Sequence, residues 1–86
     1  MAQVIESDKD FKVIKMNLIE LSETLGGFGI CDHCNGQFFN GYYIAVLNHW
    51  VCEADYFKWH ESAINYPEDR KIEERNFERT KQLLNL

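Results

Sequence analysis

The sequence predicts a small α+β fold on three observations: a Cys31-Asp-His-Cys34 turn, a run of β-formers at 42–46 that turn residues double back, and two later segments with apolar side chains at helical spacing. Eighty-six residues make room for one domain, 1–86, and leave none for a second core. A chain of this size hides only about 60–65% of its unfolded surface, so its interior is thin. A staple is therefore expected, in the form of disulfides, a metal or a partner.

Residues 1–10 are polar and read as loose. Over 11–25, Phe11, Ile14, Leu18, Leu21 and Leu25 recur at steps of three and four, one stripe of a helix that Ser7 or Asp8 could cap and Gly26 would stop. A competing reading makes 11–16 a short strand and lets Asn17 with Glu20 cap a shorter helix, 18–25. The longer helix is preferred, which makes 1–29 an N-terminal helical segment. Residues 26–30 connect to the cysteine turn, and Asn40-Gly41 signals another turn. Residues 42–46 read as a strand, Leu47-Asn48 as its turn and 49–51 as the return strand. Helical spacing resumes over 53–66, with Glu53 and Asp55 in the first turn and Tyr56, Trp59, Ala63 and Tyr66 along one side. Pro67 ends that helix and opens the next, so 67–86 reads as a charged C-terminal helix whose apolar residues are Ile72, Phe77, Leu83 and Leu84.

The three cysteines supply the staple. Zinc takes four ligands in a tetrahedron, mostly thiolate and imidazole. A Cys31-x-x-Cys34 turn sets two sulfurs on one side of an ion, and Cys52 arrives after the hairpin, directly before a helix. The fourth ligand is Asp55 or His49, giving Cys-x2-Cys-x17-Cys-x2-Asp or Cys-x2-Cys-x14-His-x2-Cys. Helix-start geometry favours Asp55, because positions just before a helix and in its first turn converge on one point. His49 lies an odd number of residues from Cys52 along a strand, which puts the two on opposite faces of a regular pleat. Residue type favours His49, as histidine is the commoner zinc ligand. The bland alternatives are buried thiols or a redox pair. They leave Cys52 and its neighbours unexplained, whereas zinc commonly contributes about 10–16 kcal/mol in such sites. His33 and His60 read as surface residues, and Trp50, Tyr56, Phe57 and Trp59 as packing around the second ligand pair.

The order of knuckle, hairpin and helix opening with Cys52-Glu-Ala-Asp55 resembles a treble-clef zinc finger, and the Cys-x2-Cys…His49-x2-Cys52-x2-Asp55 string resembles the first half of a LIM domain. The resemblance covers about 30–66. It implies a zinc-stabilised core over 30–66, of zinc knuckle, β-hairpin and helix, with N- and C-terminal helices flanking it. The sequence departs from that pattern in having aspartate at position 55, where such a treble clef has cysteine, and in having no cysteine after Cys52 for a second zinc. It is similar in this to small uncharacterised prokaryotic or phage zinc-finger proteins.

Nine basic against fourteen acidic residues leave a formal charge of −5, and loading zinc on three thiolates would make it slightly more negative. That disfavours non-specific nucleic-acid binding, which runs on phosphate neutralisation. Lys58, Arg70, Lys71, Arg75, Arg79 and Lys81 could form a basic stripe, but acids interleave with them, as on a solvated face. No basic leader region precedes an apolar stretch, and the longest apolar run, 42–47, is too short for a bilayer. An odd number of cysteines is awkward for a disulfide framework, so the expected setting is reducing and cytoplasmic, with no membrane.

The function expected is that of a non-catalytic zinc-binding module, meeting a protein partner or a second copy through the stripe at 11–25, the C-terminal helix or an aromatic surface of Phe38, Phe39, Tyr42 and Tyr43. One alternative is a nucleic-acid-binding zinc finger of a regulatory or mobile-element protein. Another is an HNH-like metal-dependent nuclease using Asn48, His49 and His60, which a closed four-ligand site disfavours.

Overall fold

The computed structural model describes residues 2–7 and 9–86. Its elements are β1 (Gln3–Glu6), β2 (Lys12–Asn17), α1 (Leu18–Thr24), β3 (Asn40–Ile44), β4 (His49–Val51), α2 (Glu53–Ser62) and α3 (Arg70–Leu84), with one 3-10 turn, Pro67–Asp69, before α3. The four strands form one antiparallel sheet in the order β1-β2-β3-β4. Among the described residues, no helix is long and apolar enough to cross a membrane.

The N-terminal segment departs from the expected helix over 11–25, and the shorter reading holds: strand, then capped helix. Phe11 and Ile14, neighbours on the expected stripe, lie on opposite sides of the sheet. As an inner strand β2 is buried on both faces, with Val13 packed on one side and Ile14 and Met16 on the other. A doubly buried strand loses its alternating pattern, and its apolar residues can then fall at helical steps. The helix proper begins at a reciprocal cap. Glu20 N–H donates to Asn17 Oδ1 at 2.9 Å, and Asn17 N–H donates to Glu20 Oε1 at 3.0 Å. Residues 3–6, read as loose, pair with β2 instead. No helix starts at Ser7, whose oxygens close a turn with Lys9 and Asp10, and Asp8 lies outside the described residues. Ile14 and Leu21 of the stripe at 11–25 are buried in the core.

Each face of the sheet carries its own helix layer. Ile14, Met16, Tyr43, Ala45 and Trp50 pack with Leu21 of α1 and Phe77 of α3. Val13, Tyr42, Ile44 and Val51 pack with Tyr56 of α2 and with Cys31 and Cys52. The hairpin falls close to its expected place, with β3 beginning two residues earlier than the reading at 42. Gly41 is needed there, because the Trp50 ring lies against its α-carbon and a Cβ would stand 2.4 Å from Trp50 Cζ2 and 2.6 Å from the Val51 carbonyl. Tyr42 and Tyr43, expected at an exposed aromatic surface, are buried on the two sides of the sheet, while Phe38 and Phe39 remain exposed.

α2 ends at Ser62 rather than 66. The Lys9 ammonium takes the carbonyls of His60, Glu61 and Ala63, a cation on the negative end of the helix. His60, read as a surface residue, is half-buried and hydrogen-bonded to Ser7 Oγ at 2.6 Å. α3 packs through only two of its four apolar residues, Phe77 and Leu84, and fills the rest of its buried face with polar side chains. Ile72 and Leu83 are exposed, and Glu73, Asn76, Phe77 and Thr80 face the sheet. The reason is backbone demand where the β2–β3 pairing ends: the Lys12 N–H donates to Glu73 Oε2 at 3.0 Å, and Asn76 Nδ2 donates to the Ala45 carbonyl at 2.9 Å. Polar side chains there satisfy backbone groups that leucine would leave orphaned.

Candidate metal centre

Residues 31–36 form a tight knuckle. Asn35 N–H donates to the Cys31 carbonyl at 2.9 Å, and Cys31 N–H donates to the Gly36 carbonyl at 2.9 Å. Asn35 takes φ 62, a left-handed turn position that asparagine tolerates. The Cys34 N–H points at Cys31 Sγ, 3.5 Å away. Asp32 then fastens the knuckle to β4 through both backbone groups of Trp50. Cys52 occupies the N-cap of α2 in extended conformation, and its side chain makes no cap hydrogen bond. Its sulfur joins the knuckle instead, and Asp55 follows in the first helical turn.

The result is one cluster. The Cys31, Cys34 and Cys52 sulfurs and an Asp55 carboxylate oxygen all lie within 4.8 Å of one another. Cys31 and Cys52 are buried, Asp55 is half-buried, and Cys34 is exposed. Such a set could hold a metal ion. The Cys31 thiol donates to Asp55 Oδ2 at 3.1 Å and the Cys52 thiol at 3.4 Å.

The metal-free electrostatics follow from that sharing. The Asp55 carboxyl is held below its ordinary range, first by the Cys31 thiol and then by the Cys34 thiol, against the effect of burial. At Cys34 the largest single influence, the Gly36 backbone, pulls the thiol down. The Asp55 carboxylate, burial and Cys31 together outweigh it and push the thiol up to about 12. Burial raises the Cys52 thiol, opposed by the Asp55 backbone. Neutral Cys34 and Cys52 thiols beside an ionised Asp55 therefore describe the metal-free cluster near pH 7, and a metal would have to displace those protons.

Of the residues read as ligands, Cys31, Cys34, Cys52 and Asp55 come together and His49 does not join them. His49 Nδ1 faces His33 Nε2 at 3.5 Å, the rings edge to face, so it touches no member of the cluster through that contact. Of the aromatics expected to pack around the second ligand pair, Tyr56 and Trp59 pack on the side of Cys52, Trp50 lies on the opposite face of the sheet, and Phe57 is exposed. Sequence reasoning missed Asp32. An acid inside a Cys-x-x-Cys turn was the available sign, since such a turn leaves a neighbouring strand edge to be satisfied.

Comparison with protein-family models, with curated proteins and with solved structures finds no match. The fold and the cluster define a small α+β protein with a Cys3Asp constellation able to hold a metal ion.

Proposed function

We propose that this chain is a non-catalytic zinc-binding module, with one structural zinc ion on Cys31, Cys34, Cys52 and Asp55 of a treble-clef-like core, and that it works by contacting another protein. The observation that carries the reading is the size of the cluster. A tetrahedron with Zn–S near 2.3 Å and Zn–O near 2.0 Å has S–S edges of about 3.8 Å and S–O edges of about 3.5 Å. The S–O separations of 3.1 and 3.4 Å sit close to that edge, and the 4.8 Å limit on the whole set leaves a small contraction on loading. Three sulfurs and one carboxylate suit a borderline-soft ion better than magnesium or calcium. Four protein ligands fill the coordination of a structural site and leave no open position for a catalytic water.

Support for a binding role comes from what surrounds the cluster. Phe38 and Phe39 are 39% and 52% exposed and line an apolar hollow with Cys52 and Ala54, and Phe57 on α2 is 54% exposed. Aromatic side chains left in water beside a rigid centre are what interface cores use.

Native mass spectrometry tests the metal. One zinc per chain is expected, retained in His49→Ala and lost or weakened in Asp55→Ala; metal-free native protein that melts cooperatively rejects the reading. Light scattering and pull-down with and without chelator test the role. A chain that stays monomeric and captures no protein, loaded or stripped, counts against it.

A further inference from the structure

On the sheet face away from the cysteines, a recess of about 490 Å³ opens between α1, α3 and β4. Its floor is Tyr43 and Trp50, 1% and 3% exposed, so it reaches the core. Leu21 and Leu25 form one wall, while Phe28 and Leu83 stand at the rim, 78% and 49% exposed. Apolar side chains left in water around a hollow gain by being covered.

The polar groups in the recess select what can cover it. Asn48 Oδ1 accepts the Tyr43 hydroxyl at 2.7 Å and the Arg79 guanidinium at 3.2 Å. Among the described residues that amide oxygen is the partner of Arg79, which has no carboxylate within ion-pair range. Arg79 stands beside Leu83 at the edge of the recess, both on α3. Arginine has five N–H donors in a planar fork, and one is used, so a carboxylate can still be taken in two-point fashion. Asp32 also lines the recess, with its Oδ2 accepting the Trp50 N–H. Its charge opposes an anion at that end and leaves Arg79 as the place for one. A phosphate would bring a second negative charge to a site with one cation.

We propose that this recess binds a small amphipathic carboxylate, an apolar body of about a dozen heavy atoms whose anionic end lies on Arg79 and whose body covers Tyr43 and Trp50. The recess meets the cysteine turn at Asp32, and none of the four cluster residues lines it.

Titration of the 86-residue chain with 4-phenylbutyrate and with its neutral counterpart 4-phenylbutanol, followed by amide and indole NMR shifts, tests it. Saturable shifts are expected at Tyr43, Asn48, Trp50 and Leu83, with the acid bound about tenfold more tightly than the alcohol. Arg79→Gln, on an exposed position of α3, should abolish that preference by lowering the acid's affinity toward the alcohol's. Absence of saturable shifts, equal binding of acid and alcohol by the native chain, or an unaltered preference in Arg79→Gln each overturns the proposal. So does tighter binding of phenylalanine than of phenylbutyrate, which would make Asp32 a cation subsite and the ligand a zwitterion.

Discussion

Asp32 and Trp50 exchange two hydrogen bonds: the Asp32 N–H donates to the Trp50 carbonyl at 3.1 Å, and the Trp50 N–H donates to Asp32 Oδ2 at 3.0 Å. A residue inside the cysteine turn thereby holds the strand that delivers Cys52. Asp32→Ala keeps the backbone bond and removes the carboxylate one. A loss of about 1 kcal/mol is expected, near 5 °C in melting temperature for a domain this small. Thermal melts of the two proteins check it, and an unchanged midpoint would mean that water replaces the carboxylate without cost.

Acid and alkali should act on different forms of the protein. In the metal-free chain the Cys34 thiol is raised from an ordinary 9.0 to about 12, so folding favours its neutral form. That contribution is complete below pH 9 and is lost as pH climbs toward 12. The Asp55 carboxyl is lowered from an ordinary 3.8, so its contribution is present above that value and is lost as pH falls through the depressed one. Chelated protein is therefore expected to weaken in alkali above about pH 9. Zinc-loaded protein should resist that range, its thiolates already ionised, and should release metal as pH falls, because protons compete for the same sulfurs. Melting temperature against pH, with and without chelator, separates the two.

Removing the polar face of α3 should cost more than its surface charges suggest. Glu73→Ala would orphan the Lys12 N–H, and Asn76→Ala would orphan the Ala45 carbonyl. Each is expected to lose about 1–3 kcal/mol in urea unfolding. Glu73→Gln, which keeps an acceptor oxygen, should lose less. Equal losses for Gln and Ala would show that the carboxylate's charge, rather than its hydrogen bond, is what matters.

Gly41→Ala is expected to destabilise by at least about 2 kcal/mol or to prevent soluble expression, since the new carbon would press on the Trp50 ring and on the rigid Val51 carbonyl. A control at Gly26, where a Cβ meets nothing within 4 Å and only the φ of 76 is costly, should lose less. Chemical denaturation of both variants ranks them.

The legible parts of the sequence were those fixed by short-range chemistry. The Cys31-x-x-Cys34 knuckle, the return strand 49–51 and the pairing of Cys52 with Asp55 at a helix start each follow from a few adjacent residues. The capping pair Asn17 and Glu20 marked the start of α1 as well, and was outweighed by a longer apolar stripe. What could not be read locally was pairing across the chain. β1 exists because β2 lies beside it, and Glu73 and Asn76 are buried because Lys12 and Ala45 need partners sixty-one and thirty-one residues away. Tyr42 and Tyr43 looked like one aromatic surface because nothing in adjacent residues tells which sides of a sheet will be covered.

β4 spans three residues, and only its middle one, Trp50, directs its backbone groups away from β3; both are taken by Asp32. Those two groups are therefore not available to an incoming strand at the β4 margin, and β1 is the other margin of the sheet. Two copies joining by strand addition would meet β1 to β1 and consume the free edge of each. An arrangement of that kind closes at a pair, because the Trp50 backbone groups on the opposite margin are already taken by Asp32.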